Sequence, residues 1–316
     1  MTHGESLNPT IPAKDQTHPP ALGTWSAIAV VLVLWASAFA GIRAGMRLDA
    51  AGQVGADGYG PGELALLRFG VASLVLAGFA LARRMRLPDR SDLGHIALAG
   101  FLGISVYHVA LNFGEVTVPA GAASLLIAAG PVFTALLSRL FLHERLSPAG
   151  WGGILLAFGG VTLISLGAGK GLHFPPGALL ILLSALVTAS YFILSKLAFR
   201  KYSALEFTCY SIWAGTVPML VFLPRLLRAM PKAAPSATWG VLYLGVFPAA
   251  IAYILWNLAL TRLPASRLSS FLYLTPVLAM AIAWIWLGEL PTALTLIGGA
   301  VAILGVIIVQ LKGREA

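Results

Sequence analysis

The residues able to do chemistry are few and widely spaced. Lys and Arg number 21, Asp and Glu 12 and His six in 316 residues. Arg43, Arg68 and Lys196 nonetheless stand within long apolar runs, and His108 sits well inside another, in Tyr107-His108-Val109-Ala110-Leu111-Asn112. An ionisable group in such a run is costly and marks function by default, although Lys196, near a segment end, could snorkel its ammonium to the interface. A buried cation, or a helix N-terminus, suits a zwitterionic or anionic ligand. His108 and Asn112 are four apart and share a helix face; they form either a hydrogen-bonded structural pair or a cavity-facing polar patch. Catalysis needs an assembled set, and the sequence holds no H-E-x-x-H, no paired intramembrane Asp and no phosphate-cradling Gly-rich loop. Ser195 and Lys196 are adjacent, so on a helix they diverge and make a poor dyad. No repeated filter-like loop suggests a channel. No cofactor or metal is expected.

The elements that position these residues follow from composition. Hydrophobic residues make up 58% of the chain and charged residues 10%, against about 25% charged in a soluble domain. The class is therefore an all-α, multi-span membrane protein. Ten apolar segments, each near the roughly 20 residues of a spanning helix, fall at about 24–46, 61–82, 93–113, 119–140, 148–167, 177–198, 204–223, 237–260, 265–287 and 291–311. Residues 1–22, rich in Pro, Thr and His, read as a disordered tail. The lone Cys209 excludes an internal disulfide.

The chain repeats itself with a register of 145 residues. Asn112 matches Asn257, Pro119 matches Pro264, Ser124 matches Ser269, Pro131 matches Pro276, Glu144 matches Glu289, and Gly160 matches Gly305. Matches at Asn, Pro, Glu and Gly in a gapless frame are far less accidental than matches among Leu and Ala. The domains expected are thus 23–168 and 169–316, each with five spans. Lys and Arg in the connections number 14 on the side of the N-terminus and 5 on the other, which places both termini in the cytoplasm. The net charge of +9 therefore speaks for membrane orientation and not for nucleic acid. An odd number of spans per half makes the second half inverted, as in secondary transporters.

Trp35-Ala36-Ser37-Ala38-Phe39, Leu67-Arg68-Phe69 and the frame Pro119-Ala120…Ser124…Pro131-Val132…Glu144, which returns as Pro264-Ala265…Ser269…Pro276-Val277…Glu289, resemble the drug/metabolite transporter superfamily, in its ten-helix branch with two EamA domains. Span 6 departs from the span 1 pattern, with Ala189-Ser190-Tyr191-Phe192 and no Trp. The resemblance implies a bacterial inner-membrane carrier, embedded in the lipid bilayer; a monomer is expected in preference to an obligate oligomer. It implies export of a small-molecule substrate (amino acids, drugs or metabolites) by alternating access, with the aromatic amino-acid exporters as one branch. It also implies a central cavity enclosed by spans 1, 3, 4, 6, 8 and 9.

Candidate lining residues are Trp35, Phe39, Tyr107, His108, Asn112, Ser124, Tyr191, Tyr253, Trp256, Asn257, Ser269 and Tyr273. Trp35 and Tyr191 are favoured because they stand near mid-span, away from the interfacial belts where aromatic rings collect. Candidate gating or hinge residues are Arg43, Arg68, Pro131, Lys196 and Pro276. A mid-span proline removes a backbone hydrogen bond and kinks a helix, and these two recur in one frame. Glu144 and Glu289 are expected to make helix-terminus contacts. The carboxylates all fall in tails, connections or span ends, so facilitated diffusion or exchange is expected in preference to coupling through an intramembrane acid.

Overall fold

The computed structural model describes residues 22–47, 53–118, 123, 126–167, 177–278 and 292–313. Nearly all of these are helical, and no strand occurs among them. Lipid offers no partner to backbone N–H and C=O groups, so apolar runs fold as helices that satisfy those groups internally. Span 1 is Leu22–Met46, span 2 Pro61–Ala82, span 5 Pro148–Gly167, span 6 Ala178–Ala198, span 7 Ala204–Met219 and span 10 Ala293–Lys312. Proline opens spans 2 and 5, where its missing N–H costs nothing. Ser203 opens span 7 with a capping box to Glu206. Seven helices among the described residues are long and apolar enough to cross a membrane, and two shorter apolar helices accompany them. Leu74, Leu155, Leu179, Val221 and Trp239 project outward and exposed, as a lipid-facing surface requires.

Spans 3, 4, 8 and 9 are interrupted. Span 3 runs Leu93–Gly100, a π-helical segment Phe101–Val106, then Tyr107–Thr117. Span 8 runs Pro235–Leu244, a π-helical segment Gly245–Ile251, then Ala252–Arg262. Phe101 plus the register of 145 falls at 246, so the two π segments occupy one frame. Span 4 breaks in a turn at 128–129 and restarts as Gly130–Leu137. Pro131 therefore opens a new helix; the expectation of a kink in a continuous one is corrected. Span 9 runs Ala265–Ser270, then a 3₁₀ turn Phe271–Tyr273, and is helical again at 274–278, where Pro276 stands. Ser124 and Glu289 lie outside the described residues.

The packing has pseudo-twofold form. Span 1 packs on span 8 as span 6 packs on span 3. Span 2 packs on span 8 as span 7 packs on span 3, and spans 2 and 7, and 5 and 10, meet their own counterparts. Side-chain contacts fix the sense of each copy. Thr24 at the start of span 1 meets Arg262 at the end of span 8, and Arg267 meets Gln310 near the end of span 10. These define a terminal face. At the distal face Arg47 meets Ser236, Asn112 meets the Pro61 carbonyl, and the Gly177 N–H meets Thr117. Span 6 thus begins at the face opposite to span 1, and the halves are inverted. Spans 5 and 10 approach most closely: a Cβ on Gly160 would lie 2.4 Å from the Ala302 nitrogen, a separation that only glycine permits.

Candidate functional site

The breaks of spans 4 and 9 border a cavity of about 80 Å³, which spans 3 and 8 line just past their π segments. A single water needs roughly 10–15 Å³, so this is a chamber and not a packing fault. Its wall takes Trp35 and Phe39 from span 1, Arg68 from span 2, Tyr107 and His108 from span 3, and Gly130 from span 4. Tyr191 and Phe192 of span 6, Tyr253 of span 8 and Pro276 of span 9 complete it. The wall is aromatic and aliphatic, and Arg68 is its one fixed cation among the described lining residues.

Arg68 enters because span 2 buries it on the face turned to spans 3 and 8; the residue is 2% exposed. Its Nη1 lies 3.5 Å from His108 Nδ1, and the guanidinium sits 5.5 Å from the centroid of the Phe69 ring. A guanidinium only donates, so His108 Nδ1 must accept and its Nε2 must carry the hydrogen. Nε2 then donates to the Tyr253 hydroxyl at 3.0 Å, and that hydroxyl donates to the Gly103 carbonyl at 3.5 Å. The tautomer is set by this geometry, and Arg68 is held by a ring nitrogen and a ring face, with no ion-pair contact among the described residues. His108 and Tyr253 are 145 apart, so the repeat supplies both members of the central bond. Trp35 Nε1 donates to the Pro248 carbonyl at 3.1 Å, inside the π segment of span 8. The Trp35 ring centroid stands 4.9 Å from that of Trp256, and Tyr191 stands 5.8 Å from Tyr253.

Other expected site residues stand behind the wall. Asn112 donates to the Pro61 carbonyl at 3.0 Å. Asn257, its repeat mate, donates to the Tyr191 hydroxyl at 2.9 Å and to Thr208 at 2.8 Å. Trp256 is wholly buried and supports Trp35 and Phe192. Ser269 bonds the Ser266 carbonyl within its own helix. Tyr273 packs in a separate apolar cluster with spans 5 and 10. Pro131 is buried one residue beyond the lining Gly130. Arg43 is half-buried toward the distal end of span 1. Lys196 forms an ion pair of 3.8 Å with Glu144, and Ser195 is spent on the Tyr191 carbonyl.

Two features were not legible beforehand. Glu144 does make a helix-terminus contact, but across the halves. Its carboxylate accepts from the Ala265 N–H at 3.0 Å and, through Oε2, from the Ser266 N–H at 3.2 Å and hydroxyl at 2.9 Å. It thereby ties the end of span 4 to the start of span 9 at the terminal face. Glu115, expected just beyond span 3, lies inside it, because the helix continues to Thr117 and carries the residue into the protein at 1% exposure. The apolar run stops at 113 while the helix does not; the i, i+4, i+7 spacing of His108, Asn112 and Glu115 was the available signal.

A polar-centred chamber between two inverted halves, bordered by broken helices, defines a multi-pass membrane transporter. The sequence model of the EamA-like transporter family matches residues 24–166 and again 175–311, and the chain belongs to that family. It is 44% identical over 283 residues to the uncharacterized transporter YdfC of Bacillus subtilis, covering 90% of this chain and 89% of that one. It is 41% identical over 284 residues to a probable terminal-alkyne amino-acid exporter of Streptantibioticus cattleyicolor, covering 90% and 92%. A solved structure with 21% identity superposes with a TM-score of 0.71 over 92% of this chain and 98% of its own, a likeness of fold.

Proposed function

We propose that the protein exports amino acids with apolar or aromatic side chains across the bacterial inner membrane, by alternating access of the cavity between two inverted halves. One observation carries this reading: Arg68 stands buried at the wall of an otherwise aromatic and aliphatic chamber, with no carboxylate in ion-pair contact with it among the described residues. Such a cation takes a carboxylate, bidentate where geometry allows. The rings of Trp35, Tyr107, Tyr191 and Phe192 offer stacking surface to an apolar side chain. The similarity to a probable amino-acid exporter supports the same substrate class. The bias of 14 to 5 in connecting Lys and Arg supports a cytoplasmic terminal face. Facilitated diffusion or exchange is the energetic reading: no carboxylate is among the described lining residues, and Glu115, buried inside span 3, stands outside that lining in electrostatic reach of Arg43 and Arg68.

Counterflow in proteoliposomes tests the proposal. Vesicles loaded with unlabelled phenylalanine should accumulate labelled phenylalanine transiently, and Arg68→Gln should abolish this at equal protein. Absence of counterflow across a panel of apolar and aromatic amino acids would reject the substrate class.

A further inference from the structure

The distal half of span 3 holds polar atoms that the described cavity does not use. Asn112 Oδ1 and both carboxylate oxygens of Glu115 are buried with no hydrogen-bond partner among the described residues. Asn112 and Glu115 are three residues apart and share the helix face that carries His108, which lines the cavity. Two cations, Arg43 and Arg68, lie within electrostatic reach of the Glu115 carboxylate, and Arg68 keeps its Nε buried and unpartnered. Buried polar atoms are normally paired, and each that is not demands a reason. Here three acceptors stand on one helix while the cations stand on two others.

This inventory is the complement of a zwitterion. An α-ammonium brings three donors and no acceptor, and an α-carboxylate brings acceptors only. We infer that the distal half of span 3 forms a head-group subsite, in which Glu115 and Asn112 Oδ1 receive the ammonium of an amino acid while Arg68, assisted by Arg43, receives the carboxylate. The side chain then extends into the aromatic chamber below. The inference rests on the amino-acid reading and adds to it a requirement for the ammonium group. A chamber with Arg68 alone would accept any apolar carboxylate; a chamber with Glu115 above it discriminates.

Binding to the full chain in nanodiscs, with three probes that differ only in the head group, tests this. Phenylalanine carries both charges, phenethylamine only the ammonium, and 3-phenylpropionate only the carboxylate. In Glu115→Gln, phenylalanine and phenethylamine should weaken by at least ~10-fold, the loss of one charge-assisted contact, while 3-phenylpropionate stays within about twofold and certifies the fold. Arg68→Gln should give the reverse pattern, sparing phenethylamine. An unchanged ratio of phenylalanine to 3-phenylpropionate in Glu115→Gln would overturn the subsite. Should Glu115→Gln lose all three probes, Glu115→Asp decides: selective weakening of the two ammonium-bearing probes supports the subsite, and equal weakening of all three rejects it. Failure of the wild type to bind any probe rejects the amino-acid reading itself, whereas wild-type binding without head-group selectivity rejects the subsite alone.

Discussion

Removing the Glu144 carboxylate should open the terminal face. Three hydrogen bonds of 2.9 to 3.2 Å and an ion pair of 3.8 Å converge on this one group. All four partners belong to the second half of the chain. Hydrogen bonds to a charged acceptor contribute about 1.5–3 kcal/mol each when buried. Glu144 and Lys196 keep 17% and 19% of their side-chain exposure, so a discounted figure of about 1 kcal/mol per hydrogen bond is appropriate. The sum is about 3 kcal/mol, which at about 1.4 kcal/mol per decade is a roughly 100-fold shift toward conformers in which spans 4 and 9 have parted at this face. Folding is affected less, because the freed N–H groups of Ala265 and Ser266 can reach water once the face opens.

The assay is the accessibility of a cysteine at the lining position Leu272, in a Cys209→Ser background, to an impermeant thiol reagent added from either side. Glu144→Ala should raise labelling from the terminal side by tenfold or more and lower it from the distal side. Lys196→Met should do less, because its 3.8 Å contact is longer than any of the three hydrogen bonds. Unchanged labelling in folded Glu144→Ala protein would refute the latch, and so would an effect of Lys196→Met equal to or larger than that of Glu144→Ala.

Three further outcomes are expected. Arg68→Gln should weaken binding of carboxylate-bearing ligands by at least ~30-fold while leaving the melting temperature level or raised, since a buried guanidinium that makes no direct ion pair carries a desolvation cost; paired calorimetry and thermal unfolding read both. Gly160→Ala should lower the melting temperature, because its Cβ would press on the Ala302 backbone at 2.4 Å, whereas Gly159→Ala meets nothing within 4 Å and should be neutral or stabilising by up to ~1 kcal/mol. Lys201 is held above the usual lysine range by its hydrogen bonds to Asp89 and Asp92, both at 2.6 Å. A raised folded-state value means that this contact is fully present at neutral pH and is lost only as pH climbs past the ordinary lysine range; Lys201→Met should therefore lower the melting temperature by the same small amount at pH 6 and pH 9.

The sequence disclosed what its repeat and its hydropathy encode. His108 and Tyr253 stand 145 residues apart, one repeat length, and they form the central hydrogen bond. The mid-span position of Trp35 and Tyr191 pointed to the chamber, and both line it. What spacing cannot encode is which half a side chain will reach. Glu144 and Ala265 are 121 residues apart, and nothing local to either names the other. Nor can an apolar run reveal that its helix continues past its own end, which is what buried Glu115. Of the four polar residues expected along spans 3 and 8, His108 and Tyr253 line the chamber, while Asn112 and Asn257, one turn further on, bond through their amide nitrogens to Pro61 and to Tyr191 and Thr208.

The interruptions explain why the two halves are stitched where they are. A π segment withdraws carbonyls from the helical ladder, and each of the two gives one to the opposite half. The Pro248 carbonyl of the second half accepts from Trp35 of the first, and the Gly103 carbonyl of the first accepts from Tyr253 of the second. Glu144 adds a third tie at the terminal face. Such bonds are exchangeable, since each has a polar alternative in water or in a ligand. The glycine-to-backbone packing of spans 5 and 10 has none: any separation there opens a void that no side chain is present to fill. Relative movement of the halves would therefore be paid for at the exchangeable ties around the chamber, with spans 5 and 10 staying together as the pivot.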